Sequence, residues 1–492
     1  MIVQHMLFEH LFNHARQRGD DLAIADDTGQ YTWQQLAGMS AGLGMYISAQ
    51  TTAPNVGVLL PASAGYVASF YGSLLAGKSV VPINFLLSDA EVAHVIADSG
   101  IDTVITIPQL AGRLAGTPLK VIDLMALPRT PAAAITPRFP SPHADDTAVL
   151  IYTSGTSGRP KGVMLTYGNL QTDVDACIEA AALKQQHTFL GVIPLFHAFG
   201  MTATMLAPVQ LGATMVYMTR FSAVGAMENI RRHKVSLLFG VPSMFAAMAR
   251  MDSASADDFR HVYALLSGGE PLPAAVRDAF LERVGKAIQE GYGMSENSPV
   301  VSLNTPQAHR AGSVGRPLPG VDVRIVDDNG KALPAGHEGE VWLKGPMVMK
   351  GYYRLEEQTR DVLTGDGFLK TGDLGRLDGD GFLYITGRKK DLIISAGEKA
   401  VPREIEEVLL RHPAVAEAAV VGRKDPARGE VPVAFVVARE GCTVGPEELR
   451  SFTRDQGLAQ FKVPRQVIFV PALPRTATGK VLKRTLVEQL GA

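Results

Sequence analysis

Short β-branched runs recur through the first two-thirds of the chain and alternate with helix-length stretches: VGVLL (56–60), SVVPI (79–83), DTVIT (102–106), TAVLIY (147–152), FLGVIPL (189–195), TMVYM (214–218), SLLFGVP (236–242) and YALLSGG (263–269). Apolar strands separated by helices predict an α/β body with mainly parallel sheets. Near the N-terminus Leu7, Phe8, Leu11, Phe12 and Ala15 fall on one helical face. From Val321 the texture changes to alternating strands joined by Asn-Gly and Asp-Gly turns, in VDVRIVDDNGKALP and FLKTGDLGRLDGDGFLYITG, which predicts a small β-barrel-like module of hairpins. After GRKKD (387–391) the pattern reads strand, helix, strand, strand, helix, strand. This predicts a small α+β domain and a division into 1–389 and 390–492.

A chain of 492 residues is too long for one core, and 46% apolar with 20% charged residues is an ordinary globular balance. The 47 Lys and Arg against 49 Asp and Glu leave a net charge of −2, so no general field attracts nucleic acid or anionic lipid. Any anion must be held locally. The two cysteines, Cys177 and Cys442, are isolated, which suggests neither a disulfide framework nor a zinc site and fits a cytoplasmic location. Two uncharged stretches, 56–77 and 185–219, are interrupted by Pro61, Gly65 and Gly72, and by Pro194, Gly200, Pro208 and Gly212. Buried strand-loop-helix units are therefore expected, not membrane spans.

One loop concentrates hydrogen-bonding capacity: YTSGTSGRPKG, 152–162. The side chains of Thr153, Ser154, Thr156, Ser157 and Lys161 are donors, and Gly155, Gly158 and Gly162 make the backbone amides approachable. Such a loop suits a polyphosphate, although Ser, Thr, Gly and Pro also form plain solvated turns. It is not a P-loop, because Lys161 stands between Pro160 and Gly162 instead of preceding Ser or Thr at a helix start.

The stretch resembles the phosphate-loop signature of the adenylate-forming superfamily, which includes acyl-CoA synthetases, adenylation domains of peptide synthetases and firefly luciferase. The rest of the superfamily's pattern follows in order: FHAFG (196–200), SGGEPLP (267–273), GYGMSE (291–296), KTGDLGRLDGDGFLYITGRKKD (370–391), SAGEKAVPREIE (395–406) and PRTATGK (474–480). The resemblance implies that a carboxylate attacks the α-phosphorus of ATP, pyrophosphate leaves, and the acyl-adenylate passes its acyl group to a thiol. Two unit charges ~4 Å apart repel by ~4 kcal/mol at an effective dielectric of ~20, so cations must be supplied where an anion meets a polyanion.

By resemblance, Glu296 and the hydroxyl of Thr153 hold Mg²⁺, Lys161 and its loop hold the outgoing phosphates, and Lys480 reaches the carboxylate and α-phosphate from the C-terminal domain. Asp373 accepts ribose hydroxyls and Arg388 donates to ribose or phosphate. Tyr292, between Gly291 and Gly293, stacks on adenine, with Gly268, Gly269, Glu270 and Pro271 opposite. Ser295 stands where the superfamily usually has Thr. Taken singly, Glu296 and Lys480 read as solvated surface residues, and Asp373 as an Asx-turn residue of a Gly-rich hairpin.

Amino-acid-activating relatives carry Asp beside the Phe of FHAFG to pair the substrate ammonium, and this chain has His197 there. An α-amino acid would bury an unpaired charge, so an amine-free acid is expected. Phe199, Met201 and Met205, with the GVPSMF run and Met248, offer apolar side chains for an acyl tunnel beside His197 and Gly268, although taken singly methionines at i and i+4 fill a helix core, and a fatty acid is preferred over an aromatic one. A water-labile adenylate must form in a closed site that later admits a thiol. In the superfamily the C-terminal domain rotates about the position of Lys390, withdrawing Lys480 and bringing Gly397 beside a pantetheine arm. Lys399 and Ala400 depart from the common Asn and its bulkier successor. The acceptor is expected to be CoA, with a holo acyl carrier protein as the alternative. A catalytically silent scaffold would need none of Glu296, Asp373, Arg388 and Lys480.

Overall fold

The computed structural model describes residues 7–127, 139–154, 159–475 and 480–491. The phosphate-loop residues Gly155, Thr156, Ser157 and Gly158 and part of the proline-rich connector lie outside them.

Two large sheets form the body. One has seven strands in the order Gly351–Tyr352, Pro160–Thr166, Thr147–Ser154, Ser79–Pro82, Asn55–Leu59, Thr103–Thr106, Lys120–Asp123; the last five are parallel and the first two antiparallel additions. The other has nine, with a parallel centre of Gln289–Gly293, Ala264–Ser267, Leu237–Gly240, Thr188–Gly191, Thr214–Tyr217 and Leu22–Asp26. Between them pack helices Trp33–Gln50 and Ala64–Leu75, held at their starts by the side chains of Thr32 and Ser63. Ala64–Leu75 is apolar on every face because core surrounds it: Tyr66, Val67, Phe70 and Tyr71 are at most 1% exposed. The uncharged stretch 56–77 is thus a strand and helix buried in the body. Among the described residues no helix is long and apolar enough to cross a membrane.

The hairpin module is a four-stranded antiparallel sheet, Asp322–Val326, Gly339–Lys344, Leu369–Leu377, Leu383–Arg388. Its first and last strands do not pair with each other, so the expected barrel-like wall is an open one. A one-turn helix, Lys389–Asp391, leads from it to a final five-stranded sheet. There helices Pro402–Leu409 and Pro446–Asp455 cover a core that includes Ile405, Val420, Ala434 and Leu449. The sequence pattern lacked strand Glu398–Ala400, three residues long, and helix Lys483–Gln489.

Candidate active site

Parallel strands present their carboxyl ends as ligand crevices. Here the ends of Leu237–Gly240, Ala264–Ser267 and Gln289–Gly293 open, through Val241, Gly268 and Gly293, into a cavity of about 1720 Å³ that Asp373, Arg388 and Lys480 also line. Gly269, at φ +85°, turns the chain immediately after the strand. A Cβ on Gly293 would lie 2.3 Å from the Pro299 carbonyl, so only glycine fits there.

Strands Thr147–Ser154 and Pro160–Thr166 form an antiparallel pair in which Thr153 stands directly across from Lys161. That register fixes both at the cavity wall. Strand Gly351–Tyr352 adds alongside, with Tyr352 opposite Val163, and carries Tyr352 to a central position. The Tyr352 hydroxyl donates to Glu296 Oε1 at 2.9 Å, and Lys161 Nζ lies 5.2 Å from the centre of its ring. Glu296 is further fixed by its own carbonyl, which accepts from Met349 N at 2.8 Å.

Asp373 sits mid-strand, opposite Arg388, and not at the hairpin turn, where Asp378 instead accepts from the backbone of Asp380 and Phe382. Its buried carboxylate takes Arg388 Nε on Oδ1 at 2.9 Å and the Tyr292 hydroxyl on Oδ2 at 2.5 Å. Arg388 and Tyr292 thereby orient the carboxylate while both face the cavity. Lys480 enters this group from the C-terminal sheet. Protein atoms crowding the ammonium, and then the Arg388 guanidinium, push its pKa down to about 8. Because Lys480 stays exposed toward the cleft, this is a half-enclosed ammonium and not a dry one.

His197 also lines the cavity, where it accepts from Phe199 N through Nδ1 at 3.3 Å and begins helix Ala198–Met201. Burial, and then Lys480, bring its pKa down to about 4, so it is neutral near pH 7 with its proton on Nε2. Phe199 lines the cavity and touches the Gly268 position, where a Cβ would sit 3.3 Å from its ring. Met201, expected beside them, points the other way: it is fully buried in the main core, as is Met205, and Thr202, Ala203 and Ala207 hold the wall. Beyond Phe199 the cavity continues past Leu266, Phe239, Ala203, Leu237, Ala264 and Cys177, all uncharged. The Cys177 thiol is pushed up by burial and stays neutral.

Gly291, Ser295, Glu270 and Lys390 also line the cavity, whereas Pro271 is exposed outside its wall. Gly397, at φ +86°, lies away from it on the C-terminal sheet, with open space where a Cβ would stand. For Ser154 only the backbone is described. Two residues escaped the sequence reading. Tyr352 is an unremarked tyrosine of KGYYRL, and Arg475 sits beside the motif lysine yet pairs with Glu270 across the cavity.

A two-domain adenylate-forming enzyme is the class these sheets and this cleft define. The chain belongs to the AMP-binding enzyme family, whose pattern matches residues 11–353, with the AMP-binding enzyme C-terminal domain matching 404–480. It is an AMP-forming acid–thiol ligase: it activates a carboxylic acid with ATP and joins the acyl group to CoA. It is 36% identical to a feruloyl-CoA synthase of Amycolatopsis sp, over 97% of both chains. It is 35% identical to a long-chain-fatty-acid–CoA ligase of Bacillus subtilis, over 88% of this chain and 85% of that one. MatB from Rhodopseudomonas palustris superposes with 29% identity over 98% of both chains, at a TM-score of 0.90 in its ATP-bound form and 0.80 in its apo form.

Proposed function

We propose that the acid is an amine-free, apolar one, a fatty acyl chain, and that adenylation takes place with the C-terminal domain in the orientation seen here. The relatives' names run from an aromatic acid and long-chain fatty acids to sulfoacetate, so the cavity carries the choice. Its apolar branch is lined at both ends of one strand, by Gly268 and by Ala264. Four residues of strand span roughly 13 Å, enough to take an extended chain past the reach of a single ring. With His197 neutral and no carboxylate among the branch residues, a substrate ammonium would be left unpaired.

In this reading Thr153, Ser154, Lys161 and the loop between them cradle the phosphates. Asp373 and Arg388 take the ribose, Tyr292 and the Gly269–Glu270 turn flank the adenine, and Lys480 meets the charge that develops between carboxylate and α-phosphate. Glu296 and Thr153 both line the cavity and offer one carboxylate and one hydroxyl, a donor set that fits Mg²⁺, which takes most of its oxygens from phosphate and water. Bound there, the ion neutralises phosphate charge. Rotation about Lys390 then withdraws Lys480 and brings Gly397 to the thiol. The higher similarity to ATP-bound than to apo MatB supports assigning the present arrangement to the first half-reaction.

The test is pyrophosphate exchange and CoA-thioester formation across straight-chain and aromatic acids. Straight chains of eight or more carbons are expected to give the highest kcat/KM. Ala264→Phe, which fills the distal branch, is expected to lower kcat/KM for those acids at least tenfold while leaving a four-carbon acid nearly unchanged. Equal loss on both, or a preference for aromatic acids, refutes the assignment.

A further inference from the structure

The loop that flanks the nucleotide and the loop that carries Lys480 lie about two hundred residues apart in the chain, and one arginine joins them. Arg475 Nη2 donates to Glu417 Oε2 at 2.8 Å, within the C-terminal sheet. Its Nη1 lies 3.7 Å from Glu270 Oε2, across the cavity. The backbone of Arg475 also forms an antiparallel bridge with Val481, and Leu482 N donates to Pro474 O at 2.8 Å. Arg475 and Val481 are thus the base of the loop that bears Lys480. Where Arg475 docks, the ammonium is aimed.

Another ion pair across this junction is more open to water. Lys399 and Asp328 meet at 3.0 Å with side chains 60% and 69% exposed, against 30% and 17% for Arg475 and Glu270. Screening leaves the first pair little influence on orientation and the second pair more. Glu270 also needs a counter-charge. Burial raises its pKa and Arg475 opposes the rise, and a bound triphosphate adds negative charge to the same cavity.

We propose that Arg475 is a positioning residue for adenylation alone: paired with Glu270, it neutralises that carboxylate beside the nucleotide and sets the Lys480 loop in its working orientation. In the step it serves, a carboxylate oxygen bonds to the α-phosphorus, the bond from that phosphorus to the bridging oxygen breaks, and pyrophosphate leaves with the electron pair. Arg475 touches none of these atoms. Once the domain rotates, it keeps Glu417 and loses Glu270, so transfer to the thiol does not depend on it. The inference rests on reading Lys480 as the catalytic lysine.

The experiment compares the full-length protein with Arg475→Met, Arg475→Lys and Lys480→Ala, measuring pyrophosphate exchange and, separately, thioester formation from purified acyl-adenylate and CoA. Arg475→Met is expected to lower the kcat of exchange about tenfold with transfer changed less than about twofold. Arg475→Lys restores much of the loss. Exchange by the parent protein falls as salt rises through about 0.5 M, whereas exchange by Arg475→Met responds less. Equal loss in both half-reactions, as from a merely structural defect, or no loss in exchange, overturns the proposal. If Lys480→Ala itself retains exchange, it is the reading of the lysine that fails. If Lys480→Ala abolishes exchange and Arg475→Met leaves it intact, the positioning role alone fails.

Discussion

Lys480→Ala is expected to reduce pyrophosphate exchange by about three orders of magnitude while transfer from preformed adenylate to CoA stays within about twofold of the parent rate. The ammonium lies in a cavity that Arg388, Asp373, Thr153 and Lys161 also line, so the charge it offers is pre-placed and its removal leaves two anions facing each other with less to hold them. Arg388 stands on the module strand and does not substitute, because Asp373 holds its Nε. The pH dependence follows from the lowered pKa. The cationic form is the active one, and in the free protein it is lost as pH rises through about 8, so kcat/KM for ATP should decline above that pH. Bound triphosphate favours the cation, which moves the corresponding decline in kcat to higher pH. Lys480→Arg, whose guanidinium does not titrate in this range, should show neither decline at whatever activity it retains. Loss of both half-reactions to the same degree in Lys480→Ala would remove the residue from its assigned step.

Legibility in the sequence followed contiguity. The α/β body, the hairpin module and the small final domain were readable because each has its own period of apolar positions, and Asp373, Arg388, Glu296 and His197 were readable as residues of one cavity because each sits inside a local motif. Met201 was misplaced for a physical reason. The helix it ends is followed by a wide π-type turn, Thr202–Leu206, which breaks the 3.6-residue period. The face carrying Thr202, Ala203 and Ala207 therefore lines the cavity, and Met201 and Met205 go to the core. Tyr352 and Arg475 belong to a different class. Their partners, Glu296 and Glu270, lie 56 and 205 residues away, and only sheet register and the docking of the last domain bring them together. No local pattern records such a meeting. The Asn-to-Lys departure at Lys399 was visible, but its pairing with Asp328 on the module's first hairpin was not.

Glu296→Gln is expected to lower exchange by about two orders of magnitude and to raise the Mg²⁺ concentration needed for half-maximal rate several-fold. The substitution is nearly isosteric. The glutamine oxygen can still accept from the Tyr352 hydroxyl, and the carbonyl of residue 296 still accepts from Met349 N, so the one-turn helix Ser295–Asn297 keeps its place and only the charge is lost. That separates an electrostatic role from a structural one. Tyr352→Phe removes the hydroxyl that orients Glu296 but leaves the carboxylate and the ring over which Lys161 lies, so its effect should be smaller, about tenfold, with the same direction of Mg²⁺ dependence. In the double variant the two losses should fall short of adding, because once the charge is gone its orientation has nothing left to contribute. An unchanged Mg²⁺ requirement in Glu296→Gln, or strictly additive losses, would show that the carboxylate works through some other contact of the loop.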